Sequence, residues 1–156
     1  MSWTLDDWSI EEALFKEICD NIPKGSTILE LGSGGATSEL AKAGYTMFSV
    51  EDNPGYLNKH PSTHIHAPMK RFGNLEWYDL SESSLPTEYA FLLIDGPGYY
   101  NRREMIRHMD IFNSKVPMVV DDCQMCECVE LADALGKLTG RPTRYIVGRS
   151  KKWAWI

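Results

Sequence analysis

A glycine-rich turn near the N-terminus is the first stretch whose residue types suggest chemistry. In TILELGSGGATSEL, residues 27–40, an apolar run stops at Glu30 and is followed by Gly32, Gly34 and Gly35. Glycine has no side chain, so a turn built from it lets a ligand approach the backbone closely. The turn therefore indicates a binding site for a phosphate or for a nucleoside that carries a positive charge.

Three known ligand patterns can be compared with this turn. The Walker pattern requires a lysine after the glycines, and none follows in this sequence. The dinucleotide pattern G-x-G-x-x-G is met only at its first two glycines, because Thr37 stands at the third position. Glu51 ends the second predicted strand and could accept both ribose hydroxyls of NAD or of S-adenosylmethionine (SAM). Glu30 favours SAM, because a carboxylate attracts an ammonium and a sulfonium but repels a pyrophosphate.

Three aspartates at predicted strand ends form a second candidate site. Asp95 ends the fourth predicted strand, and Asp121 and Asp122 end the fifth. Neighbouring parallel strands would bring these carboxylates to one edge of the sheet, where hard oxygen ligands suit Mg²⁺, Mn²⁺ or another divalent cation. In the alternative without a metal, Asp95, Asp122 or a histidine takes a proton from an acceptor hydroxyl. The candidate histidines are His64, His66 and His108.

The segment DGPGYYNRRE, residues 95–104, predicts part of an acceptor site. Glycine and proline form a stiff turn after the fourth strand, and Tyr99 offers a flat amphipathic surface. Arg102 and Arg103 open the next predicted helix, where either could hold an anionic or sugar-like acceptor. Both could equally be ordinary residues of a lid or of a helix start.

The overall charge and hydropathy exclude several classes of protein. The net charge of −6 argues against general binding to nucleic acid, which needs a basic surface. No apolar run is long enough to cross a membrane, and the N-terminus carries acids where a secretory signal has basic residues. We therefore expect a cytoplasmic protein. A basic C-terminal group, interpreted as a solvated sheet edge, consists of Arg141, Arg144, Arg149, Lys151 and Lys152.

The elements that must position these residues alternate between helix and strand. An amphipathic helix is predicted over about 6–21, with Ser9 and Glu12 in a pattern like a capping box. Apolar strands, a further helix at 101–113 and a closing antiparallel hairpin at 143–156 are predicted in a core sheet of about 26–156. Burial on both faces predicts a single doubly wound α/β domain, with ligands at the carboxyl ends of the strands.

The sequence resembles the class I, Rossmann-like SAM-dependent methyltransferases, in particular small bacterial members whose substrates are unassigned. ILELGSGGATS is similar to their glycine motif, and SVEDNPGY is similar to their acidic motif at the second strand. Stretches such as LLIDGPG and VVDDC are also similar to that group. The resemblance covers nearly the whole chain and implies a mainly parallel Rossmann-like sheet in a three-layer α/β/α sandwich.

The resemblance also implies a role for individual positions. Asp95 would lie beside the reactive methyl group, and Glu51 would hold the ribose hydroxyls with Asp52 near the adenine. The layout of the aspartates is similar to that of metal-dependent O-methyltransferases of the catechol type, although Asp122 stands where asparagine is common. The residues implied to line the methionine part of SAM are Glu30, Gly32, Ser33 and Gly34.

We therefore expect SAM-dependent methyl transfer, most simply to the oxygen of a small-molecule or sugar-like acceptor. The alternative is a SAM-binding module without catalysis, such as a subunit of a larger assembly. An NAD-dependent oxidoreductase is disfavoured by Thr37 and by the lack of an evident hydride-transfer partner. Because no predicted segment is long enough to cap the acceptor, a second copy of the chain is expected to complete that side of the site.

Overall fold

Within the described residues of the computed structural model, 9–156, a seven-stranded sheet forms the centre of the structure. The strands are β1 (Thr27–Leu31), β2 (Thr46–Glu51), β3 (Thr63–His66), β4 (Met69–Phe72), β5 (Leu75–Tyr78), β6 (Phe91–Ile94), β7 (Met118–Val120), β8 (Arg144–Val147) and β9 (Lys152–Trp155). Their order in the sheet is β3-β2-β1-β6-β7-β9-β8. The pairs from β3 to β7 are parallel, and β9 joins β7 and β8 in antiparallel pairs, which confirms the predicted C-terminal hairpin.

The helices lie on both faces of this sheet and complete the predicted three-layer α/β/α sandwich. One core contains apolar residues of the first two helices, and the other contains residues of the later ones. No described helix has the length and apolar character needed to span a bilayer. The helices are α1 (Glu12–Asn21), α2 (Gly35–Lys42), α3 (Tyr99–Arg102) and α4 (Cys126–Thr139).

The start of α1 differs from the prediction. The predicted residues 6–8 lie outside the described part of the chain, and the helix begins at Glu12. The predicted capping box at Ser9 is wrong, because Glu11 occupies the N-cap position and makes no capping hydrogen bond with its side chain. The carboxylate of Glu11 instead accepts a hydrogen bond of 2.6 Å from the backbone N–H of Arg149.

Two further segments differ from the sequence prediction. The helix predicted at 101–113 is a short α-helix, α3, followed by a 3₁₀ helix over Arg103–Ile111. A small antiparallel hairpin, β4–β5, was not predicted, and it forms a separate two-stranded sheet. Trp77 on β5 is buried and stacks in parallel on His108 of the 3₁₀ helix, with ring centroids 4.6 Å apart. The hairpin therefore covers the 3₁₀ helix.

The strand order positions the candidate residues. The chain runs outward from β1 through β2 to β3 and then returns to place β6 on the other side of β1. In such sheets the loops diverge at the point of reversal and leave a crevice beyond the carboxyl ends of the strands. The loops that follow β1, β2, β6 and β7 carry the glycine turn and the predicted acids to this crevice.

Candidate functional site

The glycine turn after β1 brings two loops into contact. Gly32 has φ +90°, a left-handed conformation that favours glycine, and its N–H donates to the carbonyl of Val50 at 2.8 Å. A Cβ atom at Gly32 would lie 3.0 Å from the backbone oxygen of Asp95. This packing allows the turns after β1 and β6 to form one continuous wall.

Glu30 lies behind the glycine turn rather than in the cavity wall. Its Oε1 accepts hydrogen bonds of 2.5 Å from the hydroxyls of Thr37 and Ser49, and the residue is 2% exposed. Burial raises the pKa of Glu30 to about 7. Thr37 in turn accepts a hydrogen bond from the N–H of Gly34 at 3.0 Å. In this position Glu30 holds the turn through Thr37, and the predicted contact between Glu30 and a ligand stays a prediction.

Glu51 is buried at the carboxyl end of β2. Its two carboxylate oxygens accept hydrogen bonds of 2.9 Å from the backbone N–H groups of Ser33 and Asn53. Burial raises the pKa of Glu51 and outweighs the effect of these hydrogen bonds. Each oxygen keeps a further lone pair, so a carboxylate fixed in this way can still accept from two neighbouring hydroxyls.

A cavity of about 750 Å³ opens at these strand ends. Glu51 stands on the β2 side of its wall and Asp95 on the β6 side, with the Gly32 turn between them. The wall contains most of the residues predicted to bind a cofactor or acceptor, namely Gly32, Ser33, Gly34, Glu51, Asp52, Asp95, Tyr99, Arg102 and Asp122.

The three aspartates predicted from the strand ends do lie together. Ile94 of β6 pairs with Val120 of β7, so the residues that follow them are neighbours at the same sheet edge. One carboxylate oxygen each from Asp95, Asp121 and Asp122 can be chosen so that all lie within 4.8 Å of one another. The fold thus brings three acids together, of which Asp95 and Asp122 line the cavity and Asp121 is buried beside them.

Two cations, the buried Arg102 and the partly buried Lys151, already pair with this acidic cluster. The ammonium of Lys151 lies 3.0 Å from Oδ2 of Asp121 and 3.0 Å from Oδ1 of Asp122. Arg102 donates to Oδ2 of Asp122 at 3.2 Å and to the carbonyl of Pro97 at 3.0 Å. Burial opposes ionisation of Asp122, but the two cations outweigh it and lower its pKa. Lys151 contacts one oxygen of Asp121 and one of Asp122, so the divalent cation predicted for Asp95, Asp121 and Asp122 would have to compete with its ammonium.

Lys151 and the two arginines correct the sequence prediction. The side chain of Lys151 is only 12% exposed, so it does not belong to a solvated sheet edge. Arg102 lines the cavity, but it is buried and paired with Asp122. Arg103 lies outside the cavity wall and pairs with Glu130 at 3.3 Å. Of the two arginines, only Arg102 lines the cavity.

Asp95 differs from the other two aspartates. Its carboxylate has no hydrogen-bond partner among the described residues, and it lines the cavity. Burial raises the pKa of Asp95 well above its usual value, and the neighbouring charge of Asp121 adds to this effect. The candidate histidines lie elsewhere: His64 contacts the hydroxyl of Ser33 at 3.1 Å, and His66 and His108 are not in the wall.

Several residues of the wall were missed by sequence reasoning. Tyr78 of β5 is buried, and its hydroxyl occupies the space that a Cβ atom at Gly96 would need, so it supports the turn after β6. The only sequence signal was its place in an aromatic pair at the end of the unpredicted hairpin. The others follow β2: Tyr56 ends the SVEDNPGY stretch but was given no role of its own, and Lys59 and His60 lie beyond that motif.

Comparison with known proteins identifies the fold. No family model and no curated protein matches this sequence. Solved structures do match. A protein from Staphylococcus aureus assigned as a caffeoyl-CoA O-methyltransferase is 14% identical with a TM-score of 0.66, and the match covers 97% of this chain and 85% of that one. The C-terminal domain of precorrin-6Y C5,15-methyltransferase from Rhodobacter capsulatus is 14% identical with a TM-score of 0.63, and the match covers 97% of this chain and 90% of that one. SAH-bound methyltransferase PaMTH1 from Podospora anserina is 13% identical with a TM-score of 0.52, and the match covers 96% of this chain and 80% of that one.

These likenesses cover nearly the whole chain at low sequence identity, so they establish the architecture. The strand order, the glycine turn after β1 and the acid at the end of β2 all belong to that architecture. The fold expected from the sequence resemblance is thereby confirmed. The chain has the Rossmann-like α/β fold of the class I SAM-dependent methyltransferases.

Proposed function

We propose that this chain is a SAM-dependent methyltransferase that acts on an oxygen atom of a small-molecule or sugar-like acceptor. One observation carries the proposal. A single cavity has a fixed carboxylate, Glu51, on one side of a glycine turn and, on the other, the carboxylate of Asp95, which has no hydrogen-bond partner in the described part of the chain. The first is suited to hold ribose hydroxyls, and the second is suited to take a proton.

The residues of the wall fit SAM. Gly32, Ser33 and Gly34 would face the methionine part, because the bare turn leaves room for it, and Glu51 would hold the ribose with Asp52 near the adenine. When bound, SAM supplies an electrophilic methyl group carried on a sulfonium. Glu30 acts indirectly in this proposal, by fixing the turn through its bond to Thr37.

An oxygen acceptor requires a proton acceptor, and Asp95 is the best placed. Its carboxylate lines the cavity and has no hydrogen-bond partner among the described residues. Asp122, which was also predicted to be catalytic, is paired with both Arg102 and Lys151, so we assign it a positioning role. In this scheme Asp95 would accept the hydroxyl proton of the acceptor, while bound SAM would supply the methyl group and leave as SAH.

The acceptor side of the cavity is defined by few residues. Tyr99 lines it and has the guanidinium of Arg102 over its ring, 5.6 Å from the centroid. An aromatic ring next to a buried cation suits a flat or hydroxylated molecule. The assigned O-methyltransferase among the structural neighbours is compatible with such an acceptor. We propose that a second copy of the chain closes this side.

Thermal unfolding with candidate ligands tests the proposal. SAM and S-adenosylhomocysteine (SAH) at about 100 times Kd should each stabilise the protein by about 2.7 kcal/mol, whereas NAD should not. The control is Gly32→Asp, which should keep the fold but lose the response. Stabilisation by NAD, or a folded protein that responds to neither adenosyl ligand, would overturn the proposal.

Transfer itself needs a second measurement. Incubation with methyl-labelled SAM and a panel of catechols, phenols and sugars should release SAH and label an acceptor, and Asp95→Asn should lower that rate by at least about a hundredfold. Binding of SAM without turnover on any acceptor class would favour the alternative, a SAM-binding module without catalysis.

A further inference from the structure

The acidic end of the cavity contains its own positive charge. Lys151 directs its ammonium between Asp121 and Asp122, at 3.0 Å from an oxygen of each. Two of its three N–H donors are used in this way, and the residue also lines the cavity. The ammonium therefore sits at the edge of a carboxylate cluster and faces the space in which a ligand would bind.

A divalent cation and this ammonium would compete for the same atoms. A metal held by carboxylates at one sheet edge needs one oxygen from each of several acids, at about 2.0 to 2.6 Å. Both oxygens of Asp122 already accept from cations, Oδ1 from Lys151 and Oδ2 from Arg102. The positive charges of Lys151 and Arg102 offset most of the negative charge of the three carboxylates. Little negative charge is therefore left to attract a divalent cation.

The position of Lys151 is built into the fold rather than left to a flexible side chain. Its backbone follows the turn between β8 and β9, where Gly148 donates to the carbonyl of Lys151 at 2.9 Å. The carboxylate of Glu11 accepts from the N–H groups of Arg149 and Ser150 in the same turn, at 2.6 and 2.9 Å. The backbone from which the Lys151 side chain extends is therefore fixed beside the cluster.

We propose that Lys151 takes the place of a divalent cation in this cluster, so that the protein needs no metal ion. The fixed ammonium supplies the positive charge at the acceptor end of the cavity. Part of this inference rests on the proposed function, since it concerns where an acceptor would bind. The competition between Lys151 and a metal ion, however, is a property of the cluster that can be measured without any acceptor.

The variant Lys151→Met should convert the cluster into a metal site. Methionine has a similar length but no charge, so an oxygen of Asp121 and one of Asp122 become free. Oδ1 of Asp121 is already buried without a hydrogen-bond partner among the described residues. Binding of Mn²⁺, measured by the loss of its free-ion electron paramagnetic resonance signal, should be absent in the wild type at millimolar ion. In Lys151→Met the affinity should be at least about tenfold higher.

Three control proteins define the result. Lys152→Met removes an exposed neighbouring charge and should behave as the wild type. Lys151→Arg keeps the positive charge and should also exclude Mn²⁺, and Asp121→Asn combined with Lys151→Met should lose the gained binding. Millimolar EDTA should leave the unfolding temperature of the wild type unchanged and should lower that of Mn²⁺-loaded Lys151→Met.

Two outcomes would overturn the inference. The first is Mn²⁺ or Mg²⁺ binding by the wild type that Asp121→Asn abolishes, a result that does not depend on any variant of Lys151. The second is a folded Lys151→Met protein that binds SAH normally but gains no affinity for Mn²⁺. Measuring SAH binding in the same samples separates this inference from the proposed function, because a failure to bind SAH would leave the Mn²⁺ result intact.

Discussion

Oε1 of Glu11 accepts a hydrogen bond of 2.6 Å from the backbone N–H of Arg149, although 138 positions separate the two residues. The same carboxylate also accepts from the N–H groups of Ser150 at 2.9 Å and Lys151 at 3.4 Å. A single side chain next to α1 therefore anchors the turn that carries Lys151 to the cavity. The turn exposes these N–H groups because no strand partner reaches them.

Removal of this anchor should weaken the whole domain. Glu11→Ala leaves the turn without its acceptor, and we expect the free energy of unfolding to fall by about 1 to 2 kcal/mol, as for charge-assisted hydrogen bonds that are partly exposed. The adjacent Glu12 provides a matched control, because within residues 9–156 it pairs only with the exposed Lys16 at 3.0 Å. Glu12→Ala should change stability by less than about 0.5 kcal/mol. Equal losses in the two variants, measured by urea unfolding, would contradict the anchoring role.

Much of the sheet could be predicted from the sequence, because a parallel strand that is buried on both faces consists of consecutive apolar residues. Phe91–Ile94 is fully apolar and fully buried, and polar residues follow each such run at the carboxyl end. The positions of Gly32, Glu51 and Asp95 at those ends follow from strand order alone, since parallel strands end at the same edge. This is why most of the cavity wall was foreseen.

Contacts between distant segments could not be predicted in the same way. Lys151 stands in a locally basic stretch, and charge patterns in a sequence do not show that its partners lie 30 residues earlier. Similarly, the 3₁₀ helix at Arg103–Ile111 has an apolar spacing that also suits an α-helix. The β4–β5 hairpin is short and carries charged residues on both faces, with Lys70 opposite Trp77 and Arg71 opposite Glu76, so its pattern is weak.

The close approach at Gly32 leads to a second prediction, with Gly25 as its control. Both glycines have similar left-handed φ angles, +90° and +85°, but a Cβ at Gly25 meets nothing within 4 Å. Each substitution by alanine should cost about 1 kcal/mol in backbone strain. Only Gly32→Ala should also push apart the turns after β1 and β6, so its Kd for SAH should rise at least about tenfold. Calorimetric titration of both variants measures this, and equal affinities would refute the steric role.

Glu51 provides a third prediction, which distinguishes two ways in which a carboxylate can bind SAM. If Glu51 holds the ribose hydroxyls, Glu51→Ala should weaken SAM and SAH to the same extent, by about ten- to a hundredfold, because both ligands contain the ribose. If Glu51 acts instead through its charge on the sulfonium, the affinity for SAM should fall more than the affinity for SAH, because SAH carries no sulfonium. We expect calorimetric titrations to show that Glu51→Ala lowers the affinities for SAM and SAH equally. A loss confined to SAM would contradict the assignment of Glu51 to the ribose.

Glu30 is buried at a position that disfavours its charged form. Burial raises its pKa from an ordinary value of 4.5 to about 7, so the folded protein holds a proton there that the unfolded chain releases at lower pH. The stability associated with the protonated carboxyl is therefore fully present below pH 4.5 and is lost as the pH rises through 7. Complete ionisation of this group lowers the free energy of unfolding by roughly 3 kcal/mol.

Glu30→Gln should remove this dependence while keeping an oxygen acceptor for the hydroxyls of Thr37 and Ser49. At about pH 5 the variant and the wild type should differ by less than about 1 kcal/mol, and by about pH 8 the variant should be the more stable by up to about 3 kcal/mol. Urea unfolding of both proteins at intervals of about one pH unit across this range measures the difference. Parallel curves over this range would mean that Glu30 is already ionised in the folded state, held so by Thr37 and Ser49.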